Sequence, residues 1–118
     1  MVRRDLKDRL FEFSIRIIKF LRQLPPEPEY KIIRYQLIKS SSSAGANYEE
    51  AQAGSSRADF TNKIRISLRE MRESNYWLRI LNGVMPEEDK NDEFKHLIIE
   101  SEELMNILGS IKTKTSKF

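Results

Sequence analysis

The 118-residue sequence contains no cysteine. That excludes a disulfide framework, a zinc-thiolate site and a thiol nucleophile together. Histidine is nearly as scarce: His96 is the only one, so no histidine pair can hold a metal and no triad has an obvious base. Glycine is rare, and no Gly-rich phosphate loop exists, because Gly54 follows no strand and no Gly-Lys-Ser/Thr comes after it. No apolar run approaches the roughly 18 residues needed to span a bilayer. Met1-Val2-Arg3-Arg4-Asp5 leads directly into an amphipathic pattern rather than an apolar signal region. These absences predict a soluble, cytoplasmic protein with no membrane partner, no metal and no cofactor.

What is present is charge and helix-forming character. A third of the residues are charged, the formal net charge is +3, and Leu, Ile, Glu, Lys and Arg dominate, which favours helix over sheet. A mild positive charge permits a polyanionic partner without requiring one. The length fits a single domain spanning 1–118.

Apolar residues recur at helical spacing along the chain. Leu6, Leu10, Phe13, Ile17 and Leu24 predict a helix over 6–24, with Asp5 as N-cap and Pro25-Pro26-Glu27-Pro28 as its stop. Tyr30, Ile33, Leu37, Ser41, Ala44, Tyr48 and Ala51 keep one phase through the serines at 40 to 43, predicting a helix over 29–52. Gly54 and Ser56 supply a helix end and an N-cap. Phe60, Ile64, Met71, Leu78 and Leu81 predict a helix over 57–82. Asn91 or Asp92 then caps a helix over 92–111, with Phe94, Leu97, Leu104 and Leu108 in its stripe. The basic tail from Lys112 to Phe118 is expected to fray. No alternating pattern marks a strand, so the fold class is all-α: an antiparallel, up-down four-helix bundle.

No catalytic constellation emerges, and an enzyme is not expected. Glu49, Glu50, Glu70 and Glu73 could belong to a di-iron carboxylate bundle, but that site needs Glu-x-x-His on two helices, and only Glu93-x-x-His96 exists. Pairing of the glutamates with Arg or Lys is the simpler account. Ser40 to Ser43 read as small residues that admit a close helix neighbour rather than as nucleophiles.

The strongest functional pattern is Arg65, Arg69, Arg72, Tyr76 and Arg79, spaced four, three, four and three apart, so that all project from one side of the third helix. Guanidinium groups beside a tyrosine suit phosphates and an unpaired base. A solvated face neutralised by Glu70 and Glu73 is the competing account. Lys112, Lys114 and Lys117 add positive charge, as do Arg3, Arg4, Lys7 and Arg9. On another side of the third helix, Ile66, Trp77 and Ile80, with Tyr35 and Ile38 on the second, form apolar faces that predict a homo-oligomer interface.

Longer motifs join these features: Ser43-Ala44-Gly45-Ala46-Asn47-Tyr48-x-Glu50-Ala51, Ser56-x-x-Asp59-Phe60-x-x-Lys63, Leu68-x-Glu70-x-x-Glu73-x-x-Tyr76-Trp77-Leu78, and the later Glu102-Glu103-Leu104. Together they resemble the bacterial four-helix bundle family of proteins encoded in intervening sequences of 23S ribosomal RNA genes, over about 6–111. Ser42 and Ser74-Asn75 depart from the commonest pattern without threatening the fold. The resemblance implies a left-handed up-down bundle assembling as a ring-like homopentamer. It also implies similarity in fold to the accessory variability protein of diversity-generating retroelements, a pentameric barrel with a basic surface that binds nucleic acid and a reverse transcriptase. It carries no catalytic or agreed binding residues. The ribosomal-RNA association reflects where some of the genes sit. Two functions are therefore expected in competition: weak, non-specific RNA or DNA binding by the arginine stripe, or a scaffold that docks a partner protein such as a reverse transcriptase.

Overall fold

A computed structural model describes residues 5–54 and 56–116. The expectations placed on Arg3, Arg4 and Lys117 lie outside the described residues. Asp5 accepts a hydrogen bond from the Asp8 amide at 2.8 Å and opens α1, Leu6–Leu21. The helix stops three residues before the predicted end, for two reasons. Pro25 disfavours helical geometry in the residue before it. In addition, Arg34 turns its guanidinium onto the carbonyls of Leu21 (3.1 Å), the last residue of α1, and of Leu24 (2.5 Å) and Pro25 (2.8 Å) in the turn beyond it, holding that turn in a non-helical course.

Pro28 occupies the first turn of α2, Pro28–Ala51, where its missing N–H costs nothing. The serine-rich stretch stays helical, as its unbroken phase predicts. Gly54 follows α2 with φ +88°, in the left-handed region that glycine enters without strain. Ser56 then caps α3, Arg57–Val84, by accepting from the Asp59 amide at 3.2 Å. This helix runs through Gly83, past the predicted end, until Pro86 halts it. A short 3₁₀ turn, Glu87–Asp89, leads to Asn91, whose side chain accepts from the Phe94 amide (2.9 Å) and caps α4, Asp92–Ser116. The predicted fraying after Ile111 does not occur through Ser116: Lys112 and Lys114 sit on α4, and Thr115 bonds back to the Lys112 carbonyl at 3.1 Å.

Contacts across the helices fix their order and direction. Leu10 lies against Gly45 and the Ser14 hydroxyl donates to the Ser41 carbonyl (2.9 Å), so α1 and α2 run antiparallel. The Ser40 and Ser74 hydroxyls meet at 2.7 Å, and Ser67 donates to the Ala44 carbonyl at 2.7 Å, setting α2 against α3 in the same sense. Asn75 donates to Ser101 across α3 and α4 (2.9 Å). Arg9 grips Glu100 (2.6 and 3.0 Å) and Glu103 (3.1 Å), while Arg16 forms a two-pronged pair with Glu93, closing α1 onto α4. The result is an up-down four-helix bundle, and among the described residues there is no strand.

The core is the predicted stripe. Phe13, Ile17, Leu37, Ile64, Met71, Leu78, Phe94, Leu97, Leu104 and Leu108 are fully buried. Phe20 stacks on Phe94 with centroids 5.2 Å apart. Truncating any one of these leucines to alanine costs about 2–5 kcal/mol. Small residues sit where helices meet closely at Ser40, Ser41, Ala44, Ser67, Ser74 and Ser101, all buried, but of the four serines at 40 to 43 only the first two do so: Ser42 is exposed and Ser43 half-buried, because they turn off the face that α2 presents to its neighbours. Every fully buried side-chain nitrogen and oxygen among the described residues has a hydrogen-bond partner, so the polar groups at these contacts are not left desolvated.

Candidate nucleic-acid interface

The groove between α3 and α4 gathers most of the predicted basic residues. Arg65, Arg72 and Arg79 are seven residues apart, so they stand about 10.5 Å from one another along α3 and span about 21 Å. All three are exposed, as is Arg69. From the opposite wall, the half-buried Lys112 of α4 completes the set.

Two hollows adjoin along this groove. The larger, about 560 Å³, is lined by Arg72, Arg79 and Lys112 with Asn75, Asn106 and Thr113, over Leu68, Met105 and Gly109. The smaller, about 360 Å³, is lined by Arg65, Arg69, Arg72 and Lys112 with Asn62, Ile66 and Leu68. Neither wall contains a carboxylate. Among the described residues, Arg69 alone of these four arginines has a carboxylate within ion-pair reach, Glu70, and at 3.9 Å that is a long contact between an exposed cation and a half-buried acid. The groove is therefore a recess of uncompensated positive charge, suited to phosphate.

Arg79 is held from below. Its Nε donates to Asn75 Oδ1 at 3.0 Å, Asn75 Nδ2 donates to the Ser101 hydroxyl, and that hydroxyl donates to the Ile98 carbonyl at 2.7 Å. The chain of donors fixes the Asn75 amide and leaves the terminal Arg79 nitrogens for a ligand. The Arg79 guanidinium also lies 5.6 Å from the Tyr76 ring centroid. Tyr76 is half exposed and meets Trp77 edge-on at 5.6 Å, giving a flat ring at the outer rim.

The other predicted residues fall elsewhere. Lys114 is exposed but lines neither hollow. Arg9 differs from the expectation of a free cation, since Glu100 and Glu103 engage it and hold its guanidinium more firmly protonated than usual. His96 lies on the exposed side of α4. Among the described residues no three His, Cys, Asp or Glu side chains gather where they could hold a metal ion, and no helix there is long and apolar enough to cross a membrane.

Exposed apolar surface concentrates on α1 and α2. Tyr35 is 64% exposed and Ile38 borders on exposed. Ile66, Trp77 and Ile80 are half-buried, Trp77 and Ile80 packing against the core. Sequence reasoning missed Phe11, Ile15 and Ile32, with Phe11 and Ile32 each 58% exposed. Their signal was available: Phe11, Ile15 and Ile18 follow helical spacing off the core stripe, as do Ile32, Tyr35 and Ile38. Phe11, Ile15 and Ile18 border a hollow with Ser42, Gly45 and Ala46.

The chain matches the family described as 23S rRNA-intervening sequence protein over residues 5–110. It is similar to a crystal structure of a protein of unknown function from the S23 ribosomal protein family of Bacteroides thetaiotaomicron, at 34% identity and a TM-score of 0.79, covering 92% of this chain and 98% of that one. None of the curated proteins matches it. The match takes in α1, α2 and α3 whole and α4 as far as residue 110: the chain belongs to the 23S rRNA-intervening sequence protein family.

Proposed function

We propose that this protein is a non-enzymatic, cytoplasmic homo-oligomer, a ring-like pentamer, that binds RNA or DNA weakly and without sequence specificity through the α3–α4 groove. The observation that carries the reading is the gathering of Arg65, Arg69, Arg72, Arg79 and Lys112 around hollows whose walls hold no carboxylate. Such a surface contacts phosphates, which supply affinity without sequence information.

The oligomeric part of the reading is supported by the apolar strip of Phe11, Ile15, Ile32, Tyr35 and Ile38 on α1 and α2. The subunit number comes from the family resemblance. A salt titration on the purified protein tests the binding: affinity falls steeply with salt, with a log–log slope of about −3 to −4 for a site that neutralises this many phosphates. Reversing Arg65, Arg69, Arg72 and Arg79 to Glu abolishes it. Absence of binding at low salt, or indifference to charge reversal, overturns the reading. Light scattering at micromolar concentration checks the assembly, and a monomer contradicts it.

The same apolar strip favours a second reading, in which it docks a partner protein such as a reverse transcriptase. A stable monomer that nonetheless binds nothing through its arginines points that way.

A further inference from the structure

We propose that the α3–α4 groove takes a single nucleic-acid strand threaded along the helix axes between Arg65 and Arg79, and that a duplex does not fit it. This rests on the nucleic-acid reading above and adds which form of the polymer is bound.

The cations line a recess rather than crown a ridge. Arg72 and Lys112 border both hollows, from opposite helices, and Leu68 lies beneath them. A duplex is stiff over about 50 nm. Laid over the bundle, it touches the crests of α3 and α4 and brings only phosphate and sugar to the rim. An unpaired strand bends into the recess and also brings base edges and faces. The groove offers matching groups for both: the amide of Asn106 and the hydroxyl of Thr113 for edges, Leu68 and Met105 for faces. At the Arg79 end, Tyr76 presents a half-exposed ring. Stacking on such a ring tolerates any base, as non-specific single-strand binding requires.

Gly109 keeps the recess open. It lines the larger hollow, and a Cβ built there meets no heavy atom within 4 Å. A Cβ at this position therefore has open space beside the groove, and a longer side chain built on it takes up room at that wall. Replacing a helical glycine also favours the helix by up to about 1 kcal/mol. The groove can thus be filled while every charge stays in place.

The test compares a labelled oligouridine dodecamer with a G·C-rich RNA duplex of the same length, which stays paired at about 50 mM salt, on the protein and on Gly109→Leu. The expected result is a single strand bound about tenfold or more tighter than the duplex. Gly109→Leu loses about tenfold in single-strand affinity, leaves duplex affinity unchanged and melts no lower than the wild type. If Gly109→Leu does not fold, Gly109→Met, whose unbranched, adaptable side chain starts from the same position, fills the groove instead with the same expectation. Equal binding of the two forms, or single-strand affinity unaffected by filling the groove, overturns the inference while leaving nucleic-acid binding intact. No binding of either form overturns both. Poly-glutamate competing as well as the oligonucleotide at equal charge assigns the groove to an acidic protein segment and overturns it too.

Discussion

Arg79 hangs from Asn75: Nε of the arginine donates to Oδ1 of the amide at 3.0 Å, and the amide in turn donates to Ser101 of α4 at 2.9 Å. An exposed cation is thereby tied to a polar link buried between two helices. A tethered guanidinium loses less freedom on meeting a phosphate than a free one, so Asn75 acts as a positioning residue. Asn75→Leu is expected to cost about 1–3 kcal/mol of stability, because the buried polar link between the helices is lost. It should also weaken oligonucleotide binding about two- to fivefold. The cycle with Arg79→Ala separates the effects: in that background Asn75→Leu costs stability but no further affinity. Additive losses of affinity would contradict the positioning role.

The helices were legible because their apolar residues recur every three or four positions, and Asp5, Ser56 and Asn91 were readable as caps from residue type alone. The arginine stripe of α3 was readable for the same reason, since residues on one helix share a face by arithmetic. What the sequence did not disclose depends on register between helices. Arg9 and Arg72 are alike as sequence, yet Arg9 faces Glu100 and Glu103 whereas Arg72 faces Lys112. Lys112 was read as added positive charge for a polyanion, but its place in the groove was not legible: its helix was expected to have ended, and its neighbours across the groove are more than thirty positions away in the chain. Asn75, noticed in the sequence as a departure from the family pattern, gains its tethering role from Ser101 on another helix.

Two glutamates are expected to respond to pH in opposite senses. Glu93 is hydrogen-bonded by Arg16, which holds its carboxyl below the ordinary range. The unfolded chain then takes up protons before the folded one, so its contribution is present above the usual carboxylate pKa of about 4.3 and is lost as pH falls through the lower folded value. Burial, and then the negative charge of Glu73, push Glu70 the other way, against the weaker pull of Arg69 and Lys39. Ionised Glu70 opposes folding at neutral pH, and that opposition is relieved as pH falls through its raised value. Urea melts should show Glu93→Gln less stable than wild type at pH 7, by about 0.3–1 kcal/mol because the pair with Arg16 is still reached by solvent, with the difference vanishing in acid. Glu70→Gln should be more stable than wild type at pH 7, by less than about 1 kcal/mol, with that gain shrinking as pH falls. Shifts of the same sign in both variants would contradict this assignment.

Gly45 sits where α1 crosses α2, and a Cβ built on it lies 3.6 Å from Leu10 Cβ and 3.7 Å from the Leu10 carbonyl carbon and oxygen. These are ordinary contact distances. The small-residue stretch thus lets the helices approach, but the approach is not so close that only glycine fits, and the backbone there is plain α-helix. Alanine at this position should fill space rather than force the helices apart, and it removes a helix-propensity disadvantage of about 0.8–1 kcal/mol. Gly45→Ala is therefore expected to raise the thermal midpoint by about 2–6 °C. Gly45→Leu, whose branched side chain must displace Leu10 or enter the hollow lined by Phe11 and Ile15, should lower the midpoint, at a stability cost of about 1–3 kcal/mol typical of overpacking. Light scattering on both variants separates the two surfaces near this residue. If α1 and α2 also form the face between subunits, Gly45→Leu disturbs assembly as well as stability, whereas Gly45→Ala keeps the oligomer intact. A lower midpoint for Gly45→Ala would mean that α1 and α2 pack more tightly in solution than these distances allow.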